Sequence, residues 1–299
     1  MTPVSKCGYV AIIGRPNVGK STLLNTLIGK KISIISAKPQ TTRNQILGIN
    51  SKGDTQIVYI DTPGLHQAEK RAMNRYMNRL ASSVIVDADV VLFMIDATRW
   101  TPDDEMVLNK LISIDTPVIL VLNKIDKLND KKEILPLIQQ FNEKFKFAHI
   151  IPLSAKRKEN IESLEKTIVQ MMPEGPHLFP DEQLTDKSDR FQIAEIIREK
   201  LIRATQQELP YSTTVVVESM NDTGKLMNIS AIIWVEREGQ KPIVIGKDGE
   251  LLKHIGTAAR KEIVTLLGKK VFLRLWVKVK SDWTDDERAL GSLGFENEQ

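Results

Sequence analysis

Five short runs of Val, Ile and Leu punctuate the first half of the chain: Gly8–Ile13, Ile57–Ile60, Val90–Ile95, Val118–Leu122 and His149–Leu153. They are continuous rather than alternating, as strands buried on both faces of a parallel sheet read. Amphipathic stretches near residues 20–28, 70–86, 102–114, 131–145 and 160–172 separate them. Alternation of this kind predicts an α/β unit over residues 1–172. Its sheet is expected to be mixed and mostly parallel, with helices on both faces and right-handed crossovers.

The period is lost after Met172. Residues 173–189 hold three prolines, one glycine and six charges, and read as a linker. Beyond it the expected order changes to helix (191–206), strand (213–219), strand (228–237), helix (249–267) and strand (270–280). This predicts a separate α+β module over 190–281, followed by an acidic tail, 282–299. A chain of 299 residues accommodates both.

Composition narrows the class. Hydrophobic residues make up 41% and charged residues 27%, as in ordinary globular chains. No run approaches the ~18 apolar residues of a spanning helix. The short apolar run at the N-terminus leads into glycines rather than a cleavage site, so no secretory signal is expected. The single cysteine, Cys7, excludes an intramolecular disulfide and a cysteine metal cluster, which fits a cytoplasmic protein.

The first strand runs into Gly14-Arg15-Pro16-Asn17-Val18-Gly19-Lys20-Ser21, a complete G-x-x-x-x-G-K-[ST] motif that opens a helix. Glycines let the backbone wrap phosphates, and amides with the helix N-terminus supply partial positive charge. Lys20 adds a full charge. Ser21 is placed to ligate Mg²⁺, and Thr22 follows it in the nucleotide-binding segment. Asp61-Thr62-Pro63-Gly64 ends a second strand. There Asp61 is expected to hold Mg²⁺ through water, and the Gly64 amide to approach a γ-phosphate.

Asn123-Lys124-Ile125-Asp126 ends a third strand and selects the base. The Asp126 carboxylate matches the N1–H and N2–H₂ donors of guanine; adenine would leave it unpaired. Asn123 is expected to tie this segment to the phosphate loop, and the Lys124 stem to cover the base. Ser154-Ala155-Lys156 follows the last strand and offers a backbone N–H to guanine O6. All four segments fall at strand C-termini, where open α/β sheets bind ligands.

The set resembles the translation-factor class of small GTPases over residues 7–172. That resemblance implies GTP and GDP binding, Mg²⁺, and slow hydrolysis, with Lys20, Thr42 and Gly64 in catalytic positions. In such a GTPase a threonine of the Lys38–Arg43 loop joins Mg²⁺ beside Ser21 and Asp61. Thr42 takes that role by its place before Arg43, with Thr41 the alternative. Residues 31–45 and 64–75 become switch segments. Ras-like enzymes place glutamine after DxxG; here Leu65 and His66 follow. Leucine cannot orient water, and His66 reads as a solvated loop residue before it reads as a base. Asn17 suits a monovalent cation, K⁺, in the resembled subfamily.

In the second module Ile245-Gly246-Lys247-Asp248-Gly249 opens a helix. A GxxG turn brings backbone close to a sugar-phosphate chain, the logic of KH modules. Residues 241–280 contain ten Lys and Arg against three acids, a local +7 inside a whole-chain net of +4, while 281–299 carry a net −5. Lys253 and Lys278 join the RNA-binding candidates. The strand 270–280 alternates Val271, Leu273, Leu275, Val277 and Val279 against Lys270, Phe272, Arg274, Trp276, Lys278 and Lys280. The first face reads as core. The second reads either as an RNA surface or as a strand face with its aromatics under a helix.

A GTPase unit of this kind followed by a type II KH module resembles the Era family of bacterial ribosome-assembly GTPases, of the TrmE-Era-EngA-like group. GRPNVGKS, PQTTR, DTPGLH, NKID, SAK and VIGKDG all match its pattern. The resemblance implies binding to the 3′ end of 16S rRNA during 30S subunit maturation, and a cytoplasmic protein partly peripheral on the cytoplasmic face of the inner membrane. No DNA partner and a monomer are expected. Two other classes stay open. One is a phosphotransferase on the same phosphate loop. The other is a GTPase acting in tRNA modification or docking on ribosomal protein.

Overall fold

β1 (Lys6–Ile13) pairs in parallel with β3 (Thr55–Asp61) on one side and β4 (Val90–Asp96) on the other. β5 (Val118–Asn123) and β6 (His149–Leu153) extend the parallel run. β2 (Ile46–Lys52) pairs antiparallel with β3 and closes the far edge. The strand order is β2-β3-β1-β4-β5-β6. This is the expected mixed, mostly parallel sheet of a P-loop α/β fold. The computed structural model describes all residues except 1–4, 39, 66–70, 206–208, 294 and 296–299.

Every residue of β4 and β5 is buried, which is why their runs do not alternate in polarity. α1 (Lys20–Ile28), α2 (Ala72–Val86), α3 (Pro102–Leu111), α4 (Ile134–Lys144) and α5 (Ile161–Met171) supply the covering layers. Ala11, Ile13, Val91 and Phe93 pack with Val84 of α2, Leu108 of α3 and Phe141 of α4. The alternate strand residues Val10 and Ile12 are equally buried toward the other face. Thr101 and Asp104 form a reciprocal capping box that starts α3, with Pro102 at its first turn. Pro152 falls in β6, an edge strand, where a missing donor is tolerated.

The chain after Met172 departs from the expected free linker. Cys7 N–H donates to the Pro173 carbonyl, Ile49 N–H to Leu184, and Leu47 N–H to the Asp186 carboxylate. Gln56 Nε2 donates to Phe179. Residues through Asp186 thus satisfy the backbone of the first unit, and that unit ends there rather than at 172. β2 is the strand that patterning misses. Its sequence, ILGINSK, ends in polar residues and holds a glycine, so no hydrophobic period marks it.

The second unit runs α6 (Asp189–Ala204), β7 (Thr213–Asp222), β8 (Leu226–Val235), α7 (Gln240–Ile245), α8 (Glu250–Leu267), β9 (Lys270–Val279) and α9 (Glu287–Ser292). β7 and β8 are antiparallel with a bulge between Val217 and Ser219; β8 and β9 are parallel. The parallel pair needs the crossover that α7 and α8 provide. Ile193 and Ile197 of α6, and Ile255 and Ile263 of α8, pack on Ile229, Ile233, Val271 and Val277. Patterning does not mark α7 as a helix: its apolar run reads as an approach to the glycines.

The edges of this unit also differ from expectation. Residues 34–41 pack with it rather than with the first unit. Ile35 N–H donates to Glu199, Lys38 caps the Ile202 carbonyl, and Arg198 donates to Thr41 O. The segment expected as an acidic tail is partly structured. Trp283 is fully buried, donates its indole N–H to Ser212 O and stacks on Phe295. Asp286 caps α9.

Candidate functional site

The phosphate loop joins β1 to α1, and Gly19 sits at the helix N-cap with no side chain capping the first amides. Those amides are therefore available to an anion. Lys20 is buried and donates to the carbonyls of Gly14 (2.9 Å) and Arg15 (3.0 Å). Burial pushes its ammonium down to about 8, against the pull of Asp61. A buried cation leaning on backbone carbonyls is a group poised to meet phosphate oxygens.

Ser21 Oγ donates to Asp61 Oδ2 at 2.7 Å and lies 2.9 Å from Thr42 Oγ1. Ser33 Oγ also donates to Asp61 Oδ2, at 3.1 Å. Thr41, by contrast, turns its hydroxyl to the Lys38 carbonyl. Asp61 Oδ1 is buried with no hydrogen-bond partner among the described residues. Burial raises the Asp61 carboxyl, opposed by the donors Ser21 and Ser33 and by Lys20. Hard oxygens with an orphaned carboxylate oxygen suit a small divalent cation such as Mg²⁺. Gly64 lies against the phosphate loop: a Cβ there would stand 2.5 Å from Pro16 N. Leu65 is fully buried in the core, so the position after DxxG presents no polar group. His66 lies outside the described residues.

Asn123 sits at the end of β5. Its Nδ2 donates to Val18 O at 2.7 Å and its Oδ1 accepts from Ala155 N at 3.0 Å. One amide side chain therefore fastens three of the four segments, as its sequence position suggests. Asp126 accepts from Ser154 Oγ at 2.6 Å, which orients the carboxylate. Lys124 donates to Asn17 O (2.6 Å) and Asp96 Oδ2 (2.7 Å), stretching its stem across the loop. Burial would raise the Asp96 carboxyl, but hydrogen bonds from Lys124 and Thr98 outweigh it and hold it low. The Ala155 N–H is occupied by Asn123, and Lys156 is exposed beside it. Thr22 belongs to the first turn of α1, half-buried.

Sequence reading misses three supports. Ser33 braces Asp61, and Asp96 braces Lys124. Arg15 Nε donates to the fully buried Asp104 at 2.8 Å and anchors the phosphate loop to the start of α3. The only local signal for Asp104 is its capping spacing from Thr101. Nothing local marks its pairing with a residue 89 positions earlier.

In the second unit Ile245-Gly246-Lys247-Asp248-Gly249 forms the joint between α7 and α8. Gly246 has φ +77°, and a Cβ there would stand 2.6 Å from Leu251 Cβ. Asp248 and Gly249 are also left-handed. Lys247 and Asp248 are exposed at the tip, Lys253 is exposed one turn along α8, and Ile245 packs against the core. Lys278 is not part of this constellation. It lies on the sheet face away from the helices, 3.9 Å from Glu218 and over the Trp234 ring.

Two family models match the chain: a 50S ribosome-binding GTPase over residues 9–124 and a KH domain over 208–284. Curated relatives match almost end to end. GTPase Era of Ectopseudomonas mendocina is 52% identical over 98% of both chains. GTPase Era of Pasteurella multocida is 55% identical over 98% of this chain and 96% of its own. The chain belongs to the GTPase Era family. Two solved Era structures, each 43% identical, cover 98% of this chain and 100% of their own. One is Era with MgGDPNP and nucleotides 1506–1542 of 16S ribosomal RNA, at a TM-score of 0.95. The other is a point variant of Aquifex aeolicus Era bound to GDP·AlF₄⁻, at 0.94. Membership in the Era family makes the chain a GTPase, with a P-loop unit for the nucleotide and a KH unit.

Proposed function

We propose that this chain is a guanine-nucleotide switch that binds the 3′ end of 16S rRNA and serves maturation of the 30S subunit. The observation that carries the nucleotide half is the Asn123 side chain, bonded at once to the phosphate loop and to the Ser154-Ala155 segment. It ties the phosphate loop to the Ser154-Ala155 segment, whose Ser154 in turn orients Asp126. The RNA half is supported by the Era relative that carries nucleotides 1506–1542 of 16S rRNA, together with the GxxG loop of this chain.

Roles follow from the chemistry. Amides of residues 17–22 and the α1 N-terminus take the phosphates, and Lys20 exchanges its carbonyl partners for β- and γ-oxygens. Ser21, Thr42 and Asp61 hold Mg²⁺; the support is their 2.7–2.9 Å oxygen spacing and the orphaned Asp61 Oδ1. Bound there, the ion neutralises charge building on the transferring phosphoryl group. Asp126 accepts from guanine N1–H and N2–H₂. Gly64 N–H approaches the γ-phosphate with no side chain in the way. Asn17, at the lip of the loop, is the K⁺ candidate. With Leu65 in the core, no side chain at that position orients the attacking water, so intrinsic hydrolysis is slow.

The switch is a linkage. GTP orders Thr42 and the 64–75 segment, and the nucleotide state changes the RNA affinity of the KH unit. Ile245, Gly246, Lys247, Asp248, Gly249 and Lys253 form the RNA clamp. Peripheral attachment to the cytoplasmic face of the inner membrane follows the family resemblance; among the described residues no helix is long and apolar enough to cross a membrane. Nucleotide competition tests the pocket. GDP and GTP displace a fluorescent guanine nucleotide from the wild type and ATP does not; equal displacement by ATP overturns the reading.

A further inference from the structure

The row Lys270, Phe272, Arg274, Trp276 and Lys278 along β9 is not absorbed by the GxxG clamp. Phe272 and Trp276 are 48% and 51% exposed, among the large hydrophobic side chains most open to solvent. The helices α6 and α8 pack on the opposite face of the sheet, so these rings are not under a helix. β8 lies beside the row in parallel register: Ser230 faces Arg274, Ile232 faces Trp276 and Trp234 faces Lys278. Trp234, half-buried, is thus the diagonal neighbour of Trp276.

Leaving two aromatic rings half in water forgoes part of the free energy that burying a large apolar side chain gains. Here cations are interleaved with the rings rather than shielding them. The Arg274 guanidinium stands 5.6 Å from the Phe272 centroid and the Lys278 ammonium 6.0 Å from that of Trp234. Glu218 lies 3.9 Å from Lys278 at the end of this row. Side chains two apart on one strand face stand about 6.6–6.8 Å apart. Phe272, Arg274 and Trp276 therefore form a line of three flat groups along roughly 13 Å. Open sheet faces bearing aromatics stack bases in other RNA-binding folds, and each ring accepts any base. A GxxG loop clamps about four nucleotides. The RNA bound to the Era relative runs from 1506 to 1542, far beyond that reach.

We infer that the open face of the KH sheet, centred on Phe272, Arg274 and Trp276, is a second RNA contact that stacks unpaired bases apart from the GxxG clamp. This rests on the RNA half of the proposed function. The test measures the affinity of the full chain, loaded with a GTP analogue, for an RNA of 16S nucleotides 1506–1542 by fluorescence anisotropy. Phe272→Ala and Trp276→Ala should each weaken binding about 5- to 150-fold, and Phe272→Tyr and Trp276→Phe should restore most of it. Unchanged thermal melting shows that the variants fold. Wild-type affinity in the Phe272→Ala/Trp276→Ala double variant, with binding still lost in Gly246→Asp, overturns the second contact while sparing the clamp, and points the face to a protein partner. Equal losses in the alanine and aromatic-conserving variants overturn stacking. No RNA binding by the wild type overturns the RNA reading itself.

Discussion

The two units present their candidate sites by opposite physical strategies. The nucleotide site is assembled from buried groups that are already bonded to one another: Lys20, Asp61, Asn123, and Ser154 on Asp126. The proposed RNA surfaces are assembled from exposed groups: the Lys247 tip, Lys253, and the β9 row. A small ligand of fixed shape rewards preorganisation, because each buried group left unpaired costs about 1–3 kcal/mol. A long, flexible polyanion rewards charge, close backbone approach and sequence-tolerant stacking. Substitutions should therefore disturb folding stability along with binding in the first unit, and binding alone at the exposed groups of the second.

The largest effect is expected at the buried ion pair beneath the phosphate loop. Arg15→Ala leaves the Asp104 carboxylate buried without its cation, a change of about 3–5 kcal/mol by precedent for buried pairs. Thermal melting should fall well below that of Arg15→Lys, and a melting curve like the wild type's would show that the pair does not stabilise the loop. Next is base selection. Asp126→Asn replaces an acceptor with a donor and should weaken GTP by roughly 10- to 150-fold while improving xanthosine triphosphate, measured by nucleotide titration. Unaltered GTP preference would break the Asp126 assignment.

Asn123→Ala strands Val18 O and Ala155 N–H together. It should cost about 2–4 kcal/mol of stability in denaturant unfolding, and nucleotide should recover only part of it. Leu65→Gln sharpens the comparison with Ras-like enzymes. The side chain is enclosed by core, so glutamine there should destabilise by about 1–3 kcal/mol and leave GTP turnover no faster. Faster turnover would show that the position reaches the attacking water. The smallest effect belongs to the exposed clamp. Lys247→Ala should weaken RNA only modestly and flatten the log–log salt dependence of binding by about 0.7, one phosphate contact on a single strand.

The same contrast explains what the chain disclosed before its structure. Motifs of the first unit were legible because phosphate and guanine demand particular residue types at the ends of buried strands, and both constraints are local. The braces were not. Arg15–Asp104, Ser33–Asp61 and Asp96–Lys124 are set by tertiary packing across tens of residues. β2 escaped because an edge strand ending in Asn-Ser-Lys has no apolar period. Residues 173–186 look like linker by composition, yet their backbone completes the edge of the first unit at Cys7 and Ile49. In the second unit the charge block was visible, but which side of the sheet Lys278 occupied depended on where α8 packed. Trp283, in a segment that reads as acidic, is buried because its ring stacks on Phe295 and its indole reaches Ser212.

In the proposed switch, the nucleotide bound by the first unit sets the RNA affinity of the second. RNA affinity of the full chain, measured by anisotropy with 16S nucleotides 1506–1542 in saturating GTP analogue and then in saturating GDP, tests it most directly. A coupling of about 5- to 150-fold in favour of the GTP-analogue state is predicted, with the same factor appearing in nucleotide affinity when RNA is added. Equal RNA affinity in the two states would contradict it.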